Sequence, residues 1–140
     1  MKNKYLIIVA HPDDDILGCG GTLSKLAKKN SIKIIFLGEG SSCRFNFQST
    51  KQNIIKKAIL TREKSAKKAL RYLGIKNYEF YNLPCGRLDT IPILEINKII
   101  ENEIKKFVPD IIFTHSENDC NNDHRIVFRS TMMATRPLGK

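Results

Sequence analysis

An imidazole and three consecutive carboxylates stand together in His11-Pro12-Asp13-Asp14-Asp15, directly after the apolar run Tyr5-Leu6-Ile7-Ile8-Val9-Ala10. Far downstream a second apolar run ends in Thr114-His115 and is followed by Asn121-Asn122-Asp123-His124. Zinc accepts both imidazole nitrogen and carboxylate oxygen, so these two clusters read as parts of one divalent-metal site. Taken alone, Asp13, Asp14 or Asp15 could simply cap the following helix and complement its dipole. Coupled to His11 and to Asp123-His124, the carboxylates point to metal chemistry instead. Open α/β sheets carry that chemistry at the carboxyl ends of their strands.

The elements that must position these residues follow from the apolar pattern. Residues 5–10 form a continuous apolar stretch, the mark of a strand buried on both faces. Residues 15–29 turn helical, with Ile16, Leu17, Leu23, Leu26 and Ala27 at helical spacings. Gly18-Cys19-Gly20-Gly21 lacks the spacing of a dinucleotide fingerprint. A second strand is expected over 32–37, ending in the polar turn Gly38-Glu39-Gly40-Ser41-Ser42. Residues 43–52 read as a loop and 54–73 as a long helix closed by Gly74. A short strand follows over 78–83, a helix over 93–107 and a fourth strand over 110–114. A last helix begins near Asp123. Strands alternating with helices predict a parallel sheet with helices on both faces, a Rossmann-like three-layer α/β/α sandwich.

The chain has 140 residues, which fits one domain spanning 1–140. It is 41% hydrophobic and 27% charged, enough for a core and a solvated surface. No apolar run reaches the ~20 residues of a membrane span. The short apolar run after the basic Met1-Lys2-Asn3-Lys4 meets His11 and Asp13 rather than a cleavage site, which argues against a signal peptide. The four cysteines, Cys19, Cys43, Cys85 and Cys120, form no C-x-x-C pair. Reduced thiols and a cytoplasmic location are the expectation. The formal charge is +10, with lysine pairs on predicted helices. That favours solvated faces or an anionic small molecule. No nucleic-acid motif accompanies the charge, so no nucleic-acid partner is expected.

These residues resemble the PIG-L or LmbE-like deacetylases, zinc-dependent N-acetyl hydrolases. Ala10-His11-Pro12-Asp13-Asp14-Asp15 looks like the family's A-H-P-D-D-E, and Gly38-Glu39-Gly40-Ser41-Ser42-Cys43-Arg44 like its second strand-end loop. Thr61-Arg62-Glu63 is similar to its R-x-x-E-type helix, and Thr114-His115 followed by Asp123-His124-Arg125 looks like its closing metal motif. The resemblance implies that His11, Asp14 and His124 hold zinc and that Asp13 is the general base. It implies an N-acetylated amino sugar or glycoconjugate as substrate, with Asn121 as a candidate contact; Arg44 is a second candidate by its charge, the alternative being a solvated loop arginine. Asp15, His115 and Asp123 are candidates to brace the ligands, and Asp119 and Arg125 are weaker ones. Arg62 and Glu63 are expected to brace the helix or a loop.

Three departures from the family pattern matter. Asp15 stands where the family usually has Glu. Asn121 stands where many members have a His that supports the oxyanion. Family domains usually run on past this point, so the chain reads as C-terminally short. Missing strands would leave an apolar edge, and a homo-oligomer is one way to cover it. Two other readings stay open at this stage: a non-catalytic nucleotide-binding Rossmann module, and an inactive remnant of the deacetylase fold. The acidic cluster at the first strand–helix turn is poorly suited to bind phosphate unless a metal intervenes.

Overall fold

The computed structural model describes residues 2–46 and 48–137. Met1 of the basic start, Phe47 of the expected 43–52 loop and residues 138–140 lie outside the described residues. Strand β1 (Lys4–Val9) leads into helix α1 (Asp14–Leu26), then β2 (Ser31–Gly38), α2 (Gln52–Tyr72), β3 (Asn77–Leu83), α3 (Ile93–Phe107), β4 (Ile111–Phe113) and α4 (Asn122–Ala134). Two short 3-10 turns, Ser42–Arg44 and Leu88–Thr90, occupy the connections after β2 and β3. Neither is signalled by periodicity, because one turn is too short to show a repeat.

The strands form one parallel sheet in the order β3-β2-β1-β4. Side-chain alternation along β1 builds the two cores. Leu6, Ile8 and Ala10 face Ile96 and Ile100 of α3 and Val127 of α4. Tyr5, Ile7 and Val9 face Leu23 of α1 and Leu70 of α2. Both faces of the central strand are therefore covered, which explains its unbroken apolar sequence. The chain is a three-layer α/β/α sandwich, with α1 and α2 on one face and α3 and α4 on the other.

The order of the strands creates the site. From β1 the chain moves outward through β2 to β3, then returns across the sheet to place β4 on the other side of β1. The loops leaving β1 and β4 diverge to opposite faces, and a crevice opens between their carboxyl ends. His11 follows β1, His115 follows β4, and α4 brings His124 in its first turn. Asn121 caps α4, its side-chain oxygen accepting the backbone N–H of Asp123 at 2.9 Å.

Candidate metal centre

The turn after β1 is closed by backbone bonds from Asp13 N and Asp14 N to the His11 carbonyl. Asp14 Oδ2 folds back to accept the His11 backbone N–H at 2.7 Å. The same oxygen lies 3.5 Å from His11 Nδ1 and 3.3 Å from His124 Nε2. His11, Asp14 and His124 thus present ligand atoms within 4.8 Å of one another.

Each of the two imidazoles has its other nitrogen engaged. His11 Nε2 donates to Asp123 Oδ2 at 2.8 Å, and His124 Nδ1 donates to Asp119 Oδ2 at 2.9 Å. A carboxylate can only accept, so these contacts hold a proton on each outer nitrogen, and His11 Nδ1 and His124 Nε2 are the atoms that would face a bound cation as lone pairs, His11 Nδ1 giving up its proton to it. Carboxylate–histidine pairs of this kind orient metal ligands and raise their basicity. His124 Nε2 is buried and makes no hydrogen bond among the described residues. A buried nitrogen without a partner is costly, and a cation at this point would satisfy it.

The electrostatics make the same demand. Burial alone would lower the His11 pKa, but hydrogen bonds to Asp123 and Asp14 outweigh it and push His11 up to about 12. Burial would raise Asp14, yet His11 and His124 hold it below the usual carboxylate range. Asp123 is held low in the same way, by His11 and by the backbone N–H groups of Gly86 and Leu88. The cluster calls for positive charge between its carboxylates, and a divalent ion can supply it in place of a proton. Two nitrogens and one oxygen are a donor set that suits zinc.

His115 is placed differently. Its Nε2 accepts the Ala10 backbone N–H at 2.8 Å, and its ring stacks on His124 with centroids 4.0 Å apart. Burial and the neighbouring His124 push it down to about 4. It is therefore a neutral ring that ties β4 to β1 and supports His124. It also enters a second grouping with Asp119 and His124. There the Asp119–His124 hydrogen bond already engages both partners.

Asp13 points the other way from Asp14. Its Oδ2 accepts from Arg62 Nη1 at 2.8 Å, and the same guanidinium reaches the Pro12 carbonyl at 3.3 Å. Asp13 lines a cavity of about 620 Å³ together with Arg44, Phe45, Ile54, Lys57 and Arg62. A carboxylate thus stands on the cavity wall one residue from the ligand cluster. Asn121 is exposed, and its oxygen is engaged at the α4 cap. Only its amide N–H₂ remains to donate to a substrate.

Asp15 does not join this network. Its side chain is buried toward α2, beside Ser65, Ala66 and Ala69, and neither carboxylate oxygen has a hydrogen-bond partner among the described residues. Burial raises its pKa to about 6. One helical residue turns by about 100°, so Asp15 leaves the face that Asp14 occupies.

Other residues matter that residue type alone did not reveal. Glu39 is buried and accepts the N–H groups of Ser41 at 2.6 Å, Ser42 at 3.0 Å and Cys85 at 2.9 Å. It clamps the loop after β2 to the loop after β3. Gly40 has φ +73, and a Cβ there would meet Arg62 Cδ at 2.9 Å, Pro12 Cδ at 3.0 Å and His11 Cβ at 3.1 Å. Only glycine lets this turn pack against the His11-Pro12 turn. The acid between two glycines at a strand end was the one available signal.

Residues 6–135 match the model of the PIG-L family, described as GlcNAc-PI de-N-acetylase. This chain belongs to the PIG-L family, whose members include deacetylases. It is 30% identical over 146 residues to the uncharacterized deacetylase YaiS of Escherichia coli K12, covering 98% of this chain and 70% of that protein. The fold is similar to that of an N,N'-diacetylchitobiose deacetylase from Pyrococcus horikoshii, with a TM-score of 0.80, 24% identity, and coverage of 94% of this chain. It is also similar to GalB of Pseudomonas putida KT2440, a 4-carboxy-2-hydroxymuconate hydratase, with a TM-score of 0.77 and 22% identity over 96% of this chain and 55% of that one. The chain spans about half the length of these solved proteins, 49% in the first case. A deacetylase and a hydratase share the fold, so the reaction has to be argued from the site.

Proposed function

We propose that this chain is a zinc-dependent hydrolase that removes an N-acetyl group from an amino sugar or its conjugate. Residues 1–140 are read as one deacetylase domain working in the cytoplasm. The observation that carries the reading is the convergence of His11 Nδ1, Asp14 Oδ2 and the partnerless His124 Nε2, one residue from a cavity-lining carboxylate. The P. horikoshii protein of similar fold acts on an N-acetylated sugar by its name, which supports the substrate class.

In this reading His11, Asp14 and His124 hold the metal. A zinc ion so held supplies Lewis acidity toward an acetyl carbonyl and makes water a better nucleophile at neutral pH. Asp13 accepts the proton of the attacking water and returns it to the leaving amine. Arg62 fixes the Asp13 carboxylate through Oδ2, on the wall of the cavity. Asp123 and Asp119 keep the two imidazoles in the tautomers that binding requires. Asn121 offers its amide N–H₂ to the oxyanion, and Arg44 and Lys57 give the cavity wall positive charge suited to hydroxyl or anionic groups of the sugar.

The test is acetate release. Zinc-loaded protein is incubated with N-acetylglucosamine, N,N'-diacetylchitobiose and a phosphorylated N-acetylglucosamine conjugate, and both acetate and free amine are measured. Equimolar acetate and amine, abolished by a chelator and restored by zinc, is the expected result. Bound zinc with no acetate from any N-acetylated amino sugar overturns the proposal.

A further inference from the structure

Two cysteines meet where the loop after β2 crosses the loop after β3. Cys43 Sγ and Cys85 Sγ are 3.2 Å apart. A disulfide forms at ~2.05 Å between sulfurs, so roughly 1 Å of approach would close one. The contact is built into the fold. Glu39 ties the Ser41 and Ser42 backbone to that of Cys85. Asp123 holds the Gly86 and Leu88 N–H groups at 2.6 and 3.2 Å. Gly86 has φ +72, and a Cβ there would stand 2.9 Å from Cys43 Cβ. The two loops therefore face each other with nothing between their sulfurs. Cys43 is exposed and Cys85 is buried, an arrangement of one accessible thiol and one sheltered partner.

We propose that Cys43 and Cys85 form a redox modification site, a dithiol that closes to an intramolecular disulfide with a low-molecular-weight disulfide as oxidant. Cys43 thiolate attacks one sulfur of the oxidant, forming a mixed disulfide and releasing the first small thiolate. Cys85 thiolate then attacks Cys43 Sγ and releases the second. The protein pair loses two electrons, the oxidant's S–S bond is reduced to two thiols, and the two cysteine protons end on those thiols. The site acts on its surroundings because Cys85 Sγ lies within 4.8 Å of the His11 ring and the Asp123 carboxylate. The turn carrying Cys43 also carries Arg44 of the cavity wall. The proposal concerns the thiols and stands independently of the substrate.

Trypsin places the four cysteines on separate peptides, because Lys or Arg residues lie between each successive pair. Reduced, zinc-loaded protein is exposed to glutathione disulfide, alkylated and digested for mass spectrometry. The expected product is a cross-link between peptides 34–44 and 77–87. Alkylation of Cys43 and Cys85 should fall by about tenfold or more while exposed Cys120 forms no protein cross-link. The variant Cys43→Ser changes an exposed side chain, and in it Cys85 should stay reduced. A glutathione adduct that persists on Cys43 with Cys85 still open to alkylation overturns the proposal. Cross-links between chains in place of the internal one, or Cys85 oxidised as fast in Cys43→Ser as in the parent, also overturn it.

Discussion

Asp13 and Asp14 are neighbours in the chain and serve opposite sides of one turn. Asp14 Oδ2 faces His11 and His124, while Asp13 Oδ2 is held 2.8 Å from Arg62 on the cavity wall. Their replacements should therefore differ in kind. Asp14→Ala is expected to lose metal and activity together. Asp13→Asn should keep near-normal zinc and lose about 10²–10⁴ in rate, the usual worth of a general base. Metal analysis beside acetate release decides it. Zinc lost from Asp13→Asn and kept by Asp14→Ala would reverse the roles.

Arg62 is expected to act through Asp13. Arg62→Ala frees the carboxylate to wander and should lower kcat by about 10²-fold, the cost of an ångström-scale misplacement. Zinc content should not change, because Arg62 touches no ligand. A loss confined to KM would show instead that the arginine binds substrate.

The carboxylates behind the imidazoles should set metal affinity. Asp119→Asn removes the acceptor that holds His124 Nδ1, while its side-chain oxygen can still cap the Asn121 N–H. Zinc affinity should weaken by about 10–100-fold, measured by competition with a coloured chelator. Unchanged affinity would mean that His124 is oriented by stacking on His115 alone.

A buried ion pair between β2 and α3 should contribute to acid stability. Glu103 pairs with Lys33, with Tyr81 and Lys106 also on the carboxylate. Burial would raise the Glu103 pKa, but Lys33 and Tyr81 more than offset it and hold it below its ordinary value. The folded state thus binds this proton more weakly than the unfolded chain. The pair's contribution is full above the unfolded carboxylate pKa and is lost as pH falls through the folded one. Glu103→Gln should cost about 3 kcal/mol at pH 7, since it leaves Lys33 buried and alone. The difference from the parent should shrink below about pH 4. Urea unfolding in the presence of a chelator at both pH values tests this, and a difference that does not depend on pH would refute it.

The fold was largely legible because its signals are local. The unbroken apolar run over 5–10 announced a central parallel strand, and the stripe through Ile93, Ile96 and Ile100 marked α3. The histidines and Asp14 were legible because chemistry-bearing residues gather at strand ends. What could not be read depends on through-space approach. Adjacency placed Asp15 with the site, and the helical turn took it away. Asn121 looked like a substrate contact, and its oxygen serves a helix cap. Arg62 braces a loop as its sequence suggested, at Pro12 and Asp13, whereas Glu39 and Cys85 reach the site from loops whose meeting is decided only when the sheet assembles.

The hydrogen bond between His11 and Asp123 joins residues 112 positions apart. Nearly the whole chain lies inside that loop, so the site has no second half until α4 has left the ribosome and docked. Closing so long a segment costs entropy with no local contact to repay it. An ion that binds only the closed arrangement therefore acts as a clasp on the completed domain, and free zinc should set the melting temperature. With zinc withdrawn, α4 should be among the earliest elements to exchange its amide hydrogens.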